Sequence, residues 1–372
     1  MNFANFSVNR FLAEYWQRKP LLIKCALPDF CDPLSPEELA GLACEAEVES
    51  RLVSTRRGQY QLRTSPFNES DFTRLPRHNW TLLVQAVDQF VPEVKALLRA
   101  VDFIPSWRVD DVMISYATKG GGVGPHFDYY DVFLVQGQGS RTWRIGQQCN
   151  AGDEQLTTSG LKLLPVFESS AEYNMAPGDV LYVPPGLAHW GIAETDSLCY
   201  SLGFRAPSVS DLLLGFTDTL VDNLAPDQRF RDSRLSASDV AGEITPTAMQ
   251  SVRHLLNQAL ADDEALLKWF GGMQTEPRYP DLIVPRPKAT IGHATQFSPA
   301  PASRFAWHEQ EKTLLLFVNG QTMALKNQAT MRQLLPLLCR HGEPFEARVF
   351  LRSKASRELL EQLLKTGALL KE

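Results

Sequence analysis

Cysteine is scarce, 6 in 372 residues, and no two form a CxxC pair, which removes the local signature of a zinc ribbon or a thioredoxin-type redox motif. No apolar run reaches the roughly 18 residues that a membrane helix requires. The start, MNFANFSVNR, has no basic segment leading into an apolar one, so no secretory leader is read there. The expectation is a cytoplasmic chain, with no membrane partner, whose thiols stay free as small core residues. Positive charge is also short: 37 Lys and Arg against 43 Asp and Glu give −6, which argues against a protein built mainly to coat nucleic acid. With 44% hydrophobic and 22% charged residues, wholesale disorder, collagen and coiled coil lose support. At about 150 residues per domain the chain holds two to three domains. The charge is uneven: from Glu276 onward 14 Lys and Arg face 9 Asp and Glu, a +5 tail on a −11 body.

Local signals organise the chain. Ser35-Pro36 followed by Glu38 reads as a capping box opening a helix through EELAGLACEAE. FLAEYWQRKPLLI reads as a short amphipathic helix that stops near Lys19-Pro20 and passes into a strand. Asn79 before WTLLVQAVDQF predicts a second long helix, restarting at Pro92 with PEVKALLRAV. From Trp107 the texture turns β-branched and aromatic, in WRVDDVMISYA, YDVFLVQ, RTWRIG, DVLYVP and LCYSLGF, the spacing of a sandwich or barrel. Apolar stripes at helical spacing return between Ser208 and Met273 and read as core or dimer seam. Six prolines from Pro277 to Pro301 mark a stiff connection. After it, TLLLFV, Asn319-Gly320 and QTMALK predict a hairpin, with helices at TMRQLLPLLCR and SRELLEQLLKTG.

Two motifs carry chemistry. His126 and Asp128, two apart in GPHFDYYDVF, share one face if they open a strand. Alone such a pair is common by chance. The frame G-x5-P-x-G-x2-H, made by Gly178, Pro184, Gly186 and His189 in PGDVLYVPPGLAH, is far rarer. It reads as a turn, a short strand, a rigid double-proline turn and a histidine delivered at a barrel mouth. Two neutral imidazoles and one carboxylate on one side of an octahedral ion make the facial triad of non-haem Fe(II) oxygenases. Structural zinc takes a fourth ligand, which nothing here supplies. The alternative is a pair of hydrogen-bonded core histidines.

Arg141 follows the turn Gly137-Gln138-Gly139-Ser140 and is read on a strand antiparallel to the one carrying Asp128. Inside a barrel its guanidinium requires an anion. A dicarboxylate co-substrate supplies one, its far carboxylate taking a bidentate bond from Arg141 and a further hydrogen bond from an inward-facing Ser115. The alternatives are a surface salt bridge for Arg141 and an ordinary strand hydroxyl for Ser115. The run Gly120-Gly121-Gly122-Val123-Gly124 lacks the Lys-Ser/Thr of a phosphate loop and is read as a flexible loop beside the metal. Asp110, Asp111 and Asp131 are candidates to attract a cationic substrate side chain, with a solvated rim as the alternative.

The segments FLAEYWQRKPLLI, DDVMISYATKGGGVGPHFDYYDVFLVQGQGSRTWRIG, PGDVLYVPPGLAHWG and YSLGFRAPS together resemble the Jumonji-C ribosomal oxygenases, specifically the bacterial arginine-hydroxylating branch. The resemblance is dense from residue 1 to about 207; beyond that only the layout agrees. It implies an α+β chain with a double-stranded β-helix (jellyroll, cupin-like) Jumonji-C domain and N-terminal helices over 1–207. A helical dimerisation region over 208–276 and a winged-helix-like domain over 277–372 would follow. It implies His126, Asp128 and His189 as ligands of Fe(II), and Ser115 and Arg141 as contacts of 2-oxoglutarate, the co-substrate. No catalytic side chain is implied beyond the metal site. The implied substrate is an arginine of the large-subunit ribosomal protein L-sixteen, hydroxylated at its β-carbon by a homodimer whose basic tail is a candidate contact for ribosomal RNA. Two other readings stand beside this one. One is a cupin-like metalloenzyme acting on a small molecule without 2-oxoglutarate, from which Arg141 discriminates. The other is a non-catalytic ribosome-binding module.

Overall fold

The computed structural model describes residues 3–153, 155–156, 160–232 and 242–372. Within the region 208–276, residues 233–241 lie outside the described residues. Packing gathers the chain into two units, one built from the segments up to Ala206, Arg278–Ser303 and Ala329–Glu372, the other from Pro207–Pro277 and Arg304–Gln328. No helix among the described residues is long and apolar enough to cross a membrane.

In the first unit, helix α1 (Val8–Glu14) ends before Pro20 and gives way to strand β1 (Leu21–Ile23). Helix α2 (Pro36–Ala43) starts on a complete capping box, with Ser35 Oγ accepting from the Glu38 N–H and the Glu38 carboxylate accepting from the Ser35 N–H. A hairpin that the sequence reading missed, β2 (Ser50–Arg56) with β3 (Gln59–Thr64), follows. Then come α3 (Glu69–Thr73), β4 (Trp80–Val84) and α4 (Pro92–Lys95). The remaining strands are β5 (Val109–Ala117), β6 (Val132–Gln136), β7 (Arg141–Gln148), β8 (Ala171–Met175), β9 (Val180–Val183), β10 (Leu187–Ala193) and β11 (Ser197–Phe204). They form an eight-stranded sheet, β1-β9-β6-β11-β5-β4-β2-β3, and a three-stranded sheet, β10-β7-β8. This is the jellyroll that the resemblance implies, in a chain of mixed helix and sheet.

Alternation along the large sheet decides what faces the space between the sheets. Val112 and Ile114 of β5, Phe133 and Val135 of β6, Val180 and Tyr182 of β9, and Leu198, Tyr200 and Leu202 of β11 pack outward, into a core shared with Phe11 and the N-terminal segment. Their neighbours Val132, Leu134, Leu181, Val183 and Cys199 pack inward against Trp143 and Ile145 of β7. Buried on both faces, such strands read as continuous apolar runs.

That effect misleads at Asn79. The helix predicted there is instead β4, paired on one side with β2 and on the other with β5. Asn79 has a left-handed φ of 66° and turns the chain into the strand, its N–H bonded to the Lys119 carbonyl. A short apolar run buried on all sides has no periodicity to separate strand from helix.

The segment 277–372 packs differently from the one module read in the sequence. Strands Gln296–Pro299, Phe345–Glu346 and Leu369–Lys371 form a sheet, and with helices Ala329–Leu338 and Lys354–Lys365 they belong to the first unit. The second unit holds α5 (Val209–Val221), α6 (Pro246–Leu260), α7 (Asp263–Thr275) and a sheet of Phe305–Glu309, Thr313–Val318 and Gln321–Lys326. Its expected hairpin forms, with φ of 49° at Asn319 and 81° at Gly320, the signs that a two-residue primed turn demands. The hairpin packs beside α7, and Phe317 lies against Gly271.

Candidate active site

His126 and Asp128 lie ahead of β6, which begins at Val132; they do not open a strand as expected. A two-residue bridge joins the metal-ligand candidates instead: the His126 N–H donates to the His189 carbonyl at 3.1 Å and the His189 N–H to the His126 carbonyl at 2.8 Å. The imidazoles lie 4.3 Å apart, centre to centre. Asp128 is held by the Gly186 N–H, which donates to its carbonyl at 2.7 Å. Gly186 has φ of 75°, and a Cβ there would stand 2.4 Å from Gln148 Nε2. The glycine of the rare motif is thus the residue that lets the two segments touch.

Each ring is oriented by its own chain. His126 Nδ1 lies 2.9 Å from the Gly124 carbonyl and His189 Nδ1 3.0 Å from the Leu187 carbonyl, so each Nδ1 carries the proton and each Nε2 presents a lone pair. The Asp128 carboxylate stands 3.6 Å from His189 Nε2 and 3.9 Å from His126 Nε2. One donor atom from each of the three lies within 4.8 Å of the others. Burial first, then the neighbouring His126, holds the His189 pKa down to about 4, keeping the ring neutral and free to donate its lone pair. Two imidazole nitrogens and one carboxylate oxygen suit a divalent first-row metal. Tyr130, which the sequence reading missed, bonds Asp128 through its hydroxyl, and burial together with that carboxylate raises its pKa well above the ordinary phenol range.

Arg141 opens β7, and β7 pairs with β10 and β8, whereas β6 pairs with β9 and β11. The expected pairing of β7 with the strand after Asp128 is therefore corrected: the turn at 137–140 carries the chain from one sheet to the other, as closing a jellyroll requires. Arg141 points between the sheets and is 6% exposed. Its Nε donates to Ser197 Oγ at 2.9 Å and its Nη1 to Ser115 Oγ at 2.8 Å. Its Nη2 donates to the carbonyls of Ser115 and Ser197 at 2.9 and 3.1 Å. Every acceptor is neutral. Among the described residues no carboxylate pairs with this cation, and burial lowers its proton affinity. A surface salt bridge is thereby excluded, and Ser115 is no idle strand hydroxyl. Ser197 was not legible, because it meets Arg141 from β11, 56 residues away.

Residues 96–212 match the JmjC domain family. The chain is 38% identical over 278 residues to the ribosomal protein uL16 3-hydroxylase of Escherichia coli K12, spanning 74% of each chain. The chain belongs to the Jumonji-C ribosomal oxygenases. A probable ribosomal oxygenase of Haemophilus influenzae is 39% identical over 262 residues, 68% of this chain and 64% of that one. The structure of YcfD, a ribosomal oxygenase from Escherichia coli, in complex with cobalt and 2-oxoglutarate matches with a TM-score of 0.82 and 30% identity, over 100% of this chain and 99% of the other.

In this Jumonji-C oxygenase the triad and Arg141 line one cavity of about 520 Å³. Its wall carries Asp110 and Asp111. Asp111 lies on the inward face of β5, in line with Met113 and Ser115. Burial, then Asp110 and Asp88, raise its pKa to about 7, against the pull of Gln85 and Arg278. Asp131 is different. It is fully buried away from the cavity lining and accepts from Tyr182 Oη at 2.6 Å, Gln17 Nε2 and Arg108 Nη2, so it ties the N-terminal segment to the sheet and meets no substrate. The glycine run is also not the loose loop expected. Gly120 and Gly121 exchange hydrogen bonds with Ala193 at the end of β10, and a Cβ on Gly122 would stand 2.3 Å from the Gly191 carbonyl. These glycines serve close backbone approach.

Proposed function

We propose that this oxygenase uses Fe(II) and 2-oxoglutarate to hydroxylate the β-carbon of an arginine side chain in ribosomal protein uL16. The observation that carries the reading is one cavity holding both a His-Asp-His triad and a buried guanidinium with only neutral partners. His126, Asp128 and His189 would hold the iron, which together with 2-oxoglutarate supplies the oxygen activation that side chains cannot. Arg141 and Ser115 bind the far carboxylate of the co-substrate, a charge-assisted contact that meets the need of the unpaired cation. Trp143, beneath His189, helps to exclude water from the cavity. Asp111, four residues before Ser115 on the same face of β5, accepts the substrate guanidinium, which orients the side chain toward the triad. The names of the two relatives support a ribosomal protein as substrate, and hence work in the cytoplasm.

The test is incubation of the pure chain with Fe(II), 2-oxoglutarate and an arginine-containing uL16 peptide. Succinate should form, and the peptide should gain the mass of one oxygen atom. Absence of both sinks the reading.

The helical region 208–276 is proposed to make a homodimer. Leu213 and Leu214 of α5 and Leu256 of α6 are apolar and exposed, a face that a second copy would cover. Light scattering should give the mass of two chains for the parent and of one for a Leu213→Glu/Leu214→Glu variant; a parent mass of one chain removes the proposal. The +5 charge from Glu276 onward supports a ribosomal RNA contact by the region 277–372, to be read as salt-sensitive binding of the full chain to that RNA.

A further inference from the structure

Arg278 reaches the wall of the same cavity from 167 residues beyond Asp111 in the chain. Its Nη2 meets Glu49 Oε2 at 3.0 Å, and its Nη1 lies 3.2 Å from Asp111 Oδ2 and 3.8 Å from Asp110 Oδ2. Asp111 Oδ2 also takes the Gln85 Nε2 donor at 2.7 Å. The other oxygen, Oδ1, accepts no hydrogen bond from any described residue, and it faces Gly203 on the inward side of β11, 3.7 Å from where a Cβ would sit. Two donors therefore share one oxygen and leave the second open. Arg205 pairs with Asp110 on the same wall, and Arg51 reaches Gln85.

We propose that Arg278 is a positioning residue for the substrate: by bridging Glu49, Asp110 and Asp111 it fixes the Asp111 carboxylate with Oδ1 open to the cavity, ready to accept an N–H from the substrate's cationic side chain. This rests on the reading of Asp111 as the seat of that side chain. A guanidinium merely occupying the seat, to be displaced by substrate, would cover both oxygens. Arg278 covers one and is anchored on two further acids.

Ionisation adds a readout that a purely structural role would not move. The groups facing Asp111 are Gln85, Asp88, Asp110 and Arg278, with Tyr130 and Tyr279 within electrostatic reach. With Arg278 present the carboxyl titrates at about 7. Without it the pKa rises, so at pH 7 more of Asp111 is protonated and unable to hold a cation, and raising the pH restores the charge.

The experiment compares the full-length parent with Arg278→Met, Arg278→Lys and Asp111→Asn, each supplied with Fe(II) and 2-oxoglutarate, across pH 6.5 to 9 on the uL16 peptide. Arg278→Met should raise the peptide KM about fivefold at pH 7, the effect on the ionised fraction of raising a pKa of about 7 by roughly one unit, with kcat at saturating peptide within about twofold. The gap should narrow toward pH 9, and Arg278→Lys should recover most of it. An unchanged KM for 2-oxoglutarate shows that the variants are folded. A KM for Arg278→Met at or below the parent, or a rise that is flat with pH, overturns the proposal. Asp111→Asn at the parental KM would remove the seat itself, and this proposal with it. A raised KM for Asp111→Asn beside an unchanged Arg278→Met would remove the proposal alone.

Discussion

Replacing Arg141 with Met is expected to raise the KM for 2-oxoglutarate by about two orders of magnitude while leaving the chain without ligands at least as stable as the parent. The two halves of this result come from one fact. Arg141 is a buried cation whose hydrogen bonds all go to the hydroxyls and carbonyls of Ser115 and Ser197. With no ligand bound, its desolvation is offset only by neutral acceptors, and an apolar side chain of similar length carries no such desolvation cost. With a carboxylate bound, the same guanidinium makes a desolvated charge pair. Truncating one partner of such a pair weakens binding by about 2–5 kcal/mol, which brackets the hundredfold figure. Steady-state succinate formation against 2-oxoglutarate concentration reads the first half and thermal unfolding the second. A variant that melts well below the parent, or that keeps the parental KM, would show that Arg141 is structural.

The second large effect is at the triad. His126→Ala is expected to lower Fe(II)-dependent succinate formation by about a thousandfold or more, because two donors cannot hold a catalytic ion that three were arranged to hold. The contact that brings the segments together uses the backbone N–H and carbonyl of His126, not its ring, so alanine keeps it and the fold should survive. Circular dichroism and the melting temperature check the fold, and Co(II) titration by calorimetry should show at least a hundredfold weaker binding, the upper end of what outer-sphere changes alone produce. Undiminished succinate from His126→Ala would assign the chemistry elsewhere.

Local chemistry was legible in the sequence and long-range pairing was not. The capping box at Ser35, the Asn319-Gly320 turn and the Pro-Pro-Gly turn before His189 each depend on residues within a few positions, and each forms. His126, Asp128 and His189 could be picked out by residue type and spacing, although the reason they converge, a backbone bridge between the two histidines, has no sequence signal. β4 was mistaken for a helix because burial on both faces erased its alternation, and β2, β3 and β8 were missed because polar residues interrupt them. The partner of β7 could not be read, since a four-residue turn suits a hairpin within one sheet as well as a crossing between two. Ser197 meets Arg141, and Gln85 and Arg278 meet Asp111, across 26 to 167 residues. Arg278 stands among prolines, where composition suggested only a connector.

Because the first unit is assembled from three separate stretches, its parts leave the ribosome at different times. The eleven strands are all made by Phe204, yet Arg278 and the helices Ala329–Leu338 and Lys354–Lys365 come later. At elongation rates of about 5–20 residues per second, roughly ten seconds or more separate the last of these strands from the last of these helices. During synthesis, then, every residue of the triad and Arg141 is available before Arg278, and the acidic wall cannot be braced until Arg278 arrives.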